Sequence, residues 1–316
     1  MPILKSSGSS LKREKYREMS FSAIANLMWS SAFLFGKTAL TALPPLCVAG
    51  IRLVIATAFL FAIVRKNPFT FLARKGRWVL LVAFLQTYIS FSIFNLGLAL
   101  LPGSLGSMII GVSPAFTSIL AFFVLGETLS VKKLAGLGIG ITSVVILAIS
   151  RSPWTKTGAS EVLGILLLVC TNLAGAFGNT IVKKHFTVKE IMPLNLVQTG
   201  LGACAVCLTS LILERPDPTA FGNLKVTGSI ICLAVITAGA SSLWNYTISK
   251  EKVRLTDIAA WKFLIPSMGA VLSWLFLPND APNPVMLVCL FMIAFAIFLS
   301  VIELPSDTRK RTFHSG

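Results

Sequence analysis

Three basic side chains, Lys37, Arg52 and Lys262, stand inside long apolar runs. A cation at membrane depth is costly unless it meets a counter-charge or a ligand, so each is a candidate contact for an anion. Lys262 follows Arg254 by eight residues, which puts it about 12 Å along a helix from the polar end of its run. Arg52 lies at a similar depth from the other side. Lys37 is nearer an end, where a long side chain can snorkel to the interface. For all three the structural alternative is a cation that only pairs helices. No Asp or Glu matches them in depth: Glu127, Asp257 and Glu161 all stand near the ends of runs. A carrier of lipophilic cations would be expected to hold its ligand with a buried carboxylate. The reverse pattern points to a substrate with a carboxylate or another anionic group, met by Lys262 or Arg52.

Polar and aromatic residues in the same runs could complete a binding cavity, since such cavities mix aromatic walls with a few placed hydrogen-bonding groups. The candidates are Trp29, Gln86, Tyr88, Ser92, Asn95, Trp244, Asn245, Tyr246 and Trp261. For Trp261 the alternative is an interfacial aromatic belt. For Asn95 and Asn245 it is a hydrogen bond between helices. Pro114 and Pro266 fall in mid-run, where proline removes a helix hydrogen bond. They read as kinks that assist gating, or as fixed bends. Gly136 and Gly140 form GxxxG, a close-packing motif that serves either within the chain or in a homodimer. Six cysteines lie in apolar stretches, and the two histidines, His185 and His314, lie in polar ones. No metal site, cofactor motif or catalytic constellation follows from them, so the residues do not read as an enzyme.

The elements that must hold these residues are membrane-spanning helices. Of 316 residues 55 % are hydrophobic and 13 % charged, about half the charge of a soluble domain. A spanning helix needs about 20 apolar residues. Ten candidates emerge at 20–41, 45–64, 78–99, 103–125, 131–150, 160–182, 192–213, 226–248, 255–277 and 284–303. The stretch from Trp78 to Gly126 is uncharged throughout and far too long for one crossing. Leu101-Pro102-Gly103 is where it turns back.

Net charge is +16, which in a soluble chain would suggest nucleic acid. Ten alternating spans dispose of that reading. Twenty-one of the 28 basic residues fall in the two tails and the loops of one side, four on the other, and three inside spans. Basic residues collect on the cytoplasmic side, so both termini are expected there. No single patch collects the charge, so no nucleic-acid partner is implied.

The two halves repeat each other. Asn26-Leu27 with Lys37 recurs as Asn172-Leu173 with Lys183, at an offset of 146. Pro45-Leu46 recurs as Pro193-Leu194, Ser92 with Phe94-Asn95 as Ser242 with Trp244-Asn245, and Pro114 as Pro266, at offsets of 148, 150 and 152. Five spans per half is an odd number, so the second half is inverted. Inverted repeats are a construction of secondary transporters, with the substrate site near the midplane between the halves.

These residues resemble the EamA-type drug/metabolite transporters. The resemblance rests on Trp29-Ser30-Ser31 with Phe33 and Lys37, and on Pro44-Pro45 with Arg52. It rests most on Gly103-Ser104-Leu105-Gly106-Ser107, Ser113-Pro114-Ala115-Phe116 and Gly126-Glu127-Thr128-Leu129-Ser130, closing with Gly136 through Gly140. It covers about 20–303. Where the first half has Gly126-Glu127 the second has Pro278-Asn279, so an acidic turn is expected to be missing there. The resemblance implies an all-α integral membrane protein of ten helices in two inverted five-helix repeats. The expected organisation is a basic tail at 1–19, a first repeat at 20–150, a linker at 151–159, a second repeat at 160–303 and a tail at 304–316. It also implies alternating access for a small polar metabolite, an amino acid or derivative, in a bacterial inner membrane. Organic anions or sugar phosphates are the alternative cargo. A membrane-embedded enzyme or a channel is the other class.

Overall fold

The computed structural model describes residues 4–64, 68–150, 156–251, 253–278 and 280–301. The junctions at 65–67 and 151–155 and the C-terminal tail lie outside them. Among the described residues every regular element is helical.

The first span is α1 (Leu4–Leu40), 37 residues long. At 1.5 Å per residue that is about 55 Å, far more than the ~30 Å core of a bilayer. The helix therefore does not begin at residue 20 but continues back through the polar segment, and its apolar part is Arg17–Leu40. The second span is α2 (Pro45–Ile63), with proline in the first turn, where its missing N–H has no helical acceptor to lose.

The third span begins as α3 (Pro68–Val82) with a kink at Lys75, where φ is −126°. It widens into a seven-residue π-helix, Ala83–Ile89, and ends as α4 (Ser90–Ala99). The fourth span is broken into α5 (Gly103–Ile110) and α6 (Ser113–Leu125). Then come α7 (Val131–Ile149), α8 (Lys156–His185), α9 (Ile191–Leu213) and α10 (Leu224–Ile248) as the fifth to eighth spans. The ninth span is broken as the fourth is: α11 (Leu255–Ala259), a 3₁₀ turn at Ala260–Phe263, then α12 (Leu264–Phe276). The tenth is α13 (Pro284–Val301).

Seven of these stretches are long and apolar enough to cross a membrane, and Leu264–Phe276 and Pro284–Ala296 are shorter apolar helices. The exterior is apolar: Phe61, Phe123, Leu211 and Phe291 are each about 70 % exposed. Ser, Thr and Asn side chains are buried instead, among them Ser22, Asn26, Ser104, Ser107, Asn172 and Thr237. That inside-out distribution suits lipid, where helix association depends on close packing and interhelical hydrogen bonds. The chain is an all-α, multi-pass membrane protein.

Packing is invariant to exchanging the halves. The first span packs on the eighth and the third on the sixth; the first also packs on the ninth, and the sixth on the fourth. The second and seventh spans, the fourth and ninth, and the fifth and tenth pair with their own counterparts. The fourth and ninth meet at their breaks. A Cβ on Gly111 would stand 2.6 Å from the Pro266 ring, and one on Gly269 would stand 2.6 Å from Ser107 Cβ. Only glycine allows so close an approach.

Candidate functional site

Between the halves lies a cavity lined by the first four spans and by the sixth, eighth and ninth. It holds about 940 Å³ of space unfilled by protein atoms, including the part open to solvent. The fifth and tenth spans pair away from it.

Lys262 belongs to the 3₁₀ turn that interrupts the ninth span and is 7 % exposed. Its Nζ donates to Ser113 Oγ at 3.1 Å, at the break in the fourth span. It sits 4.6 Å from the centre of the Trp244 ring and 6.0 Å from that of Trp29. Both spans are interrupted where Lys262 and Ser113 meet. The two tryptophans pack against each other at 5.8 Å, tilted by 58°. Their faces supply part of the electrostatic support that a buried ammonium requires.

Arg52 projects from the second span and is 2 % exposed. Its Nε and Nη2 donate to Thr237 Oγ1 at 3.0 and 2.9 Å. Thr237 in turn donates to the Leu233 carbonyl, which fixes its hydroxyl. The guanidinium lies 4.8 Å over the Phe91 ring. Its Nη1 is buried without a hydrogen-bond partner. Among the described residues neither cation has a carboxylate partner, and the cavity lining contains no acidic side chain.

Neutral amides form the remaining wall. Asn179 Oδ1 accepts from Gln86 Nε2 and from Trp244 Nε1, both at 2.9 Å. Gln86 stands on the π-helix, whose extra residue per turn rotates it toward the sixth span. Asn172 Nδ2 donates at 2.9 Å to the carbonyl of Ile109, at the fourth-span break. Asn245 Nδ2 donates at 2.7 Å to Asn195 Oδ1, which also accepts from Gln198.

The structure thus brings Trp29, Arg52, Trp244, Asn245 and Lys262 to one cavity, and Gln86 with them. It places Tyr88, Ser92, Asn95 and Trp261 outside the lining. The Tyr88 hydroxyl pairs with Thr209 at 3.2 Å, toward the seventh span. Ser92 is buried with no partner for its hydroxyl. Asn95 donates to the Phe91 carbonyl of its own helix, and its Oδ1 is unpartnered. The repeat-related pair Asn95 and Asn245 therefore occupy different settings. Pro114 and Pro266 both lie in the first turn after a break, where no helix hydrogen bond remains to be removed. Gly136 and Gly140 line a small pocket with Gly111, Pro114 and Ile293, facing the fourth, ninth and tenth spans of the same chain.

Lys37 serves a helix end. Its Nζ donates to the Leu98 carbonyl at 3.2 Å, beside Gly103. Its repeat partner Lys183 donates to the carbonyls of Lys250 and Val253, at 2.6 and 2.7 Å. Next to each lysine a carboxylate caps a helix start. Gly126 turns the chain with φ at +67°, and Glu127 then accepts from Leu255 and Thr256 N–H at 2.9 and 3.0 Å. At the other end Asp280 accepts from Ser104 N–H at 2.8 Å and from its hydroxyl. The acidic turn expected to be missing from the second half is present. Its carboxylate is Asp280, one residue past the expected register, because the offset between halves keeps drifting.

Asn179, Ser113 and Thr237 contribute to the site without having been named as candidates for it in the sequence. Asn179 had a signal: it follows Asn172 by two turns in an apolar run, and the two share one face. Ser113 stood in the Ser113-Pro114-Ala115-Phe116 motif without any sign of a site role, and Thr237 had no signal; each is defined by the cation it meets across the fold.

The fold and cavity define a polytopic helical membrane protein with a binding space between pseudo-symmetric halves. Residues 17–149 match the EamA-like transporter family. An Escherichia coli protein named as a probable amino-acid metabolite efflux pump is 29 % identical over 259 residues, 79 % of this chain and 84 % of that one. An S-adenosylmethionine/S-adenosylhomocysteine transporter of Chlamydia muridarum is 24 % identical over 277 residues, 84 % and 86 % of the two chains. An uncharacterized transporter of Bacillus subtilis, YvbV, is 26 % identical over 253 residues, 79 % and 81 %. A solved crystal structure shares the fold with a TM-score of 0.62 at 16 % identity, over 90 % of this chain and 96 % of that one. The EamA-type drug/metabolite transporter resemblance carried by the motifs is borne out, through the family match over the first half and through the relatives over most of the chain.

Proposed function

We propose that the protein is a secondary transporter that moves a small polar metabolite, an amino acid or amino-acid derivative, by alternating access rather than an enzyme or a channel. The observation that carries this reading is the cavity: seven spans from both halves line it, and it combines five aromatic side chains, a wall of amides and two cations that have no carboxylate partner among the described residues. The relatives support it, one being named as a probable amino-acid metabolite efflux pump and another as a transporter of an amino-acid derivative. The all-cationic lining favours organic anions as a second reading of the cargo. Lys262 and Arg52 meet the anionic group, while Trp29 and Trp244 wall the site. The membrane is a bacterial inner membrane with both termini in the cytoplasm, an orientation that the distribution of basic residues supports.

Purified protein in liposomes tests the proposal. Uptake and counterflow are screened against amino acids, nucleoside-type metabolites and organic anions, with and without a proton gradient. Saturable uptake with counterflow of at least one of them is expected, weakened by Lys262→Ala. Flux that never saturates, or no flux with any of them, overturns it.

A further inference from the structure

The cavity holds its two cations on separate anchors, and that separation of anchors bears on the ligand. Both are anchored on one face of the eighth span. Arg52 is held by Thr237, and Lys262 lies over Trp244. Ser241, between these two anchors in sequence, also lines the cavity. Thr237 and Trp244 are seven residues apart, two helical turns or about 10 Å along the axis. Anchors so separated favour one anionic group on each cation over a single carboxylate or phosphate shared by both. Each cation is nevertheless incomplete alone. The guanidinium has one edge fixed by Thr237, while Nη1 is buried and unpartnered, leaving a fork of the kind that binds a carboxylate with two parallel hydrogen bonds. Lys262 bonds only a neutral hydroxyl and ring faces. A ligand with a single anionic group would leave one buried cation without a counter-charge, which is costly.

Resting on the transporter reading above, we infer that the cavity takes an elongated ligand with two separated anionic groups, one on Arg52 and one on Lys262. That is the chemistry of a short α,ω-dicarboxylate or an acidic amino acid. Gln86, Asn179 and Asn245 also line the cavity and can bond a substituent on the backbone of such a ligand. Arg52 then fixes length and charge number, a specificity role that a helix-pairing arginine would not have.

Isothermal titration of the detergent-purified full chain tests this with glutarate, L-glutamate, L-glutamine, butyrate and inorganic phosphate. Glutarate is expected to bind at least tenfold more tightly than butyrate, and glutamate at least tenfold more tightly than glutamine. In Arg52→Gln both ratios fall to within about twofold of one. Thr237→Val, which keeps the charge and shape but frees the guanidinium edge, lowers them part of the way and keeps the test valid if Arg52→Gln does not fold. Butyrate or phosphate binding as tightly as glutarate overturns the inference, as does a Thr237→Val protein with unchanged ratios. Counterflow of a neutral amino acid in liposomes without any dicarboxylate binding overturns it too, and leaves the transporter reading standing. Dicarboxylate binding without flux keeps this inference and overturns the transporter reading.

Discussion

At the scale of residues, charge imbalance is the main fact. Lys262 and Arg52 are nearly completely buried, yet their protein partners are hydroxyls and aromatic rings. A hydrogen bond to a charged group contributes about 1.5–3 kcal/mol. Lys262→Met is therefore expected to weaken apparent affinity for an anionic substrate roughly 10- to 100-fold. Uptake kinetics at varied substrate concentration check this, and an unchanged half-saturation concentration would remove Lys262 from the site. Asn179 makes a different prediction. Its Oδ1 satisfies two donors, and Asn179→Ala leaves Gln86 Nε2 and the buried Trp244 Nε1 unpaired. A loss of stability of about 1–3 kcal/mol is expected, because an orphaned buried donor forfeits its desolvation cost. Thermal unfolding in detergent measures it.

At the scale of elements, the informative places are where helices fail to be regular. The break at Gly111 and Val112, the 3₁₀ turn at Ala260–Phe263 and the π-helix at Ala83–Ile89 deliver Ser113, Lys262 and Gln86 to the cavity. Sequence made the two breaks visible only through Pro114 and Pro266, and it suggested kinks rather than interruptions. It gave no sign of the π-helix, since Ala-Phe-Leu-Gln-Thr-Tyr-Ile reads as ordinary apolar helix, and the wider turn follows from packing on the sixth and seventh spans. The paired caps were half legible. Glu127 stood out after its glycine, whereas Asp280 was hidden in a proline-rich turn by a shift of one residue. Glu127→Gln and Asp280→Asn should have similar effects because each caps one of two equivalent helix starts. A cost of about 0.5–2 kcal/mol apiece is expected, and the double variant should lose close to the sum. A neutral result for one and not the other would contradict their equivalence.

At the scale of the whole molecule, the ten spans and the pairing of halves were readable because the bilayer imposes length and apolarity on each crossing. The boundary of the first span was not, because helix continues into polar sequence at no cost in hydrogen bonds. What the sequence could not supply was the meeting of Arg52 with Thr237, or of Lys262 with Ser113. These residues are 185 and 149 positions apart and join different halves. The charge asymmetry predicts cytoplasmic termini, which fusions can test. Green fluorescent protein at the C-terminus should fluoresce, and alkaline phosphatase there should be inactive; the opposite pair would invert the topology.

The cavity is proposed as a carrier's binding site to which Lys262 belongs. Counterflow in liposomes is the most direct measurement. Protein preloaded with unlabelled substrate should accumulate the labelled form transiently above its equilibrium level, and Lys262→Ala should abolish the overshoot at the same substrate concentration. A linear, non-saturating flux without overshoot, or an overshoot that Lys262→Ala leaves intact, would contradict the account.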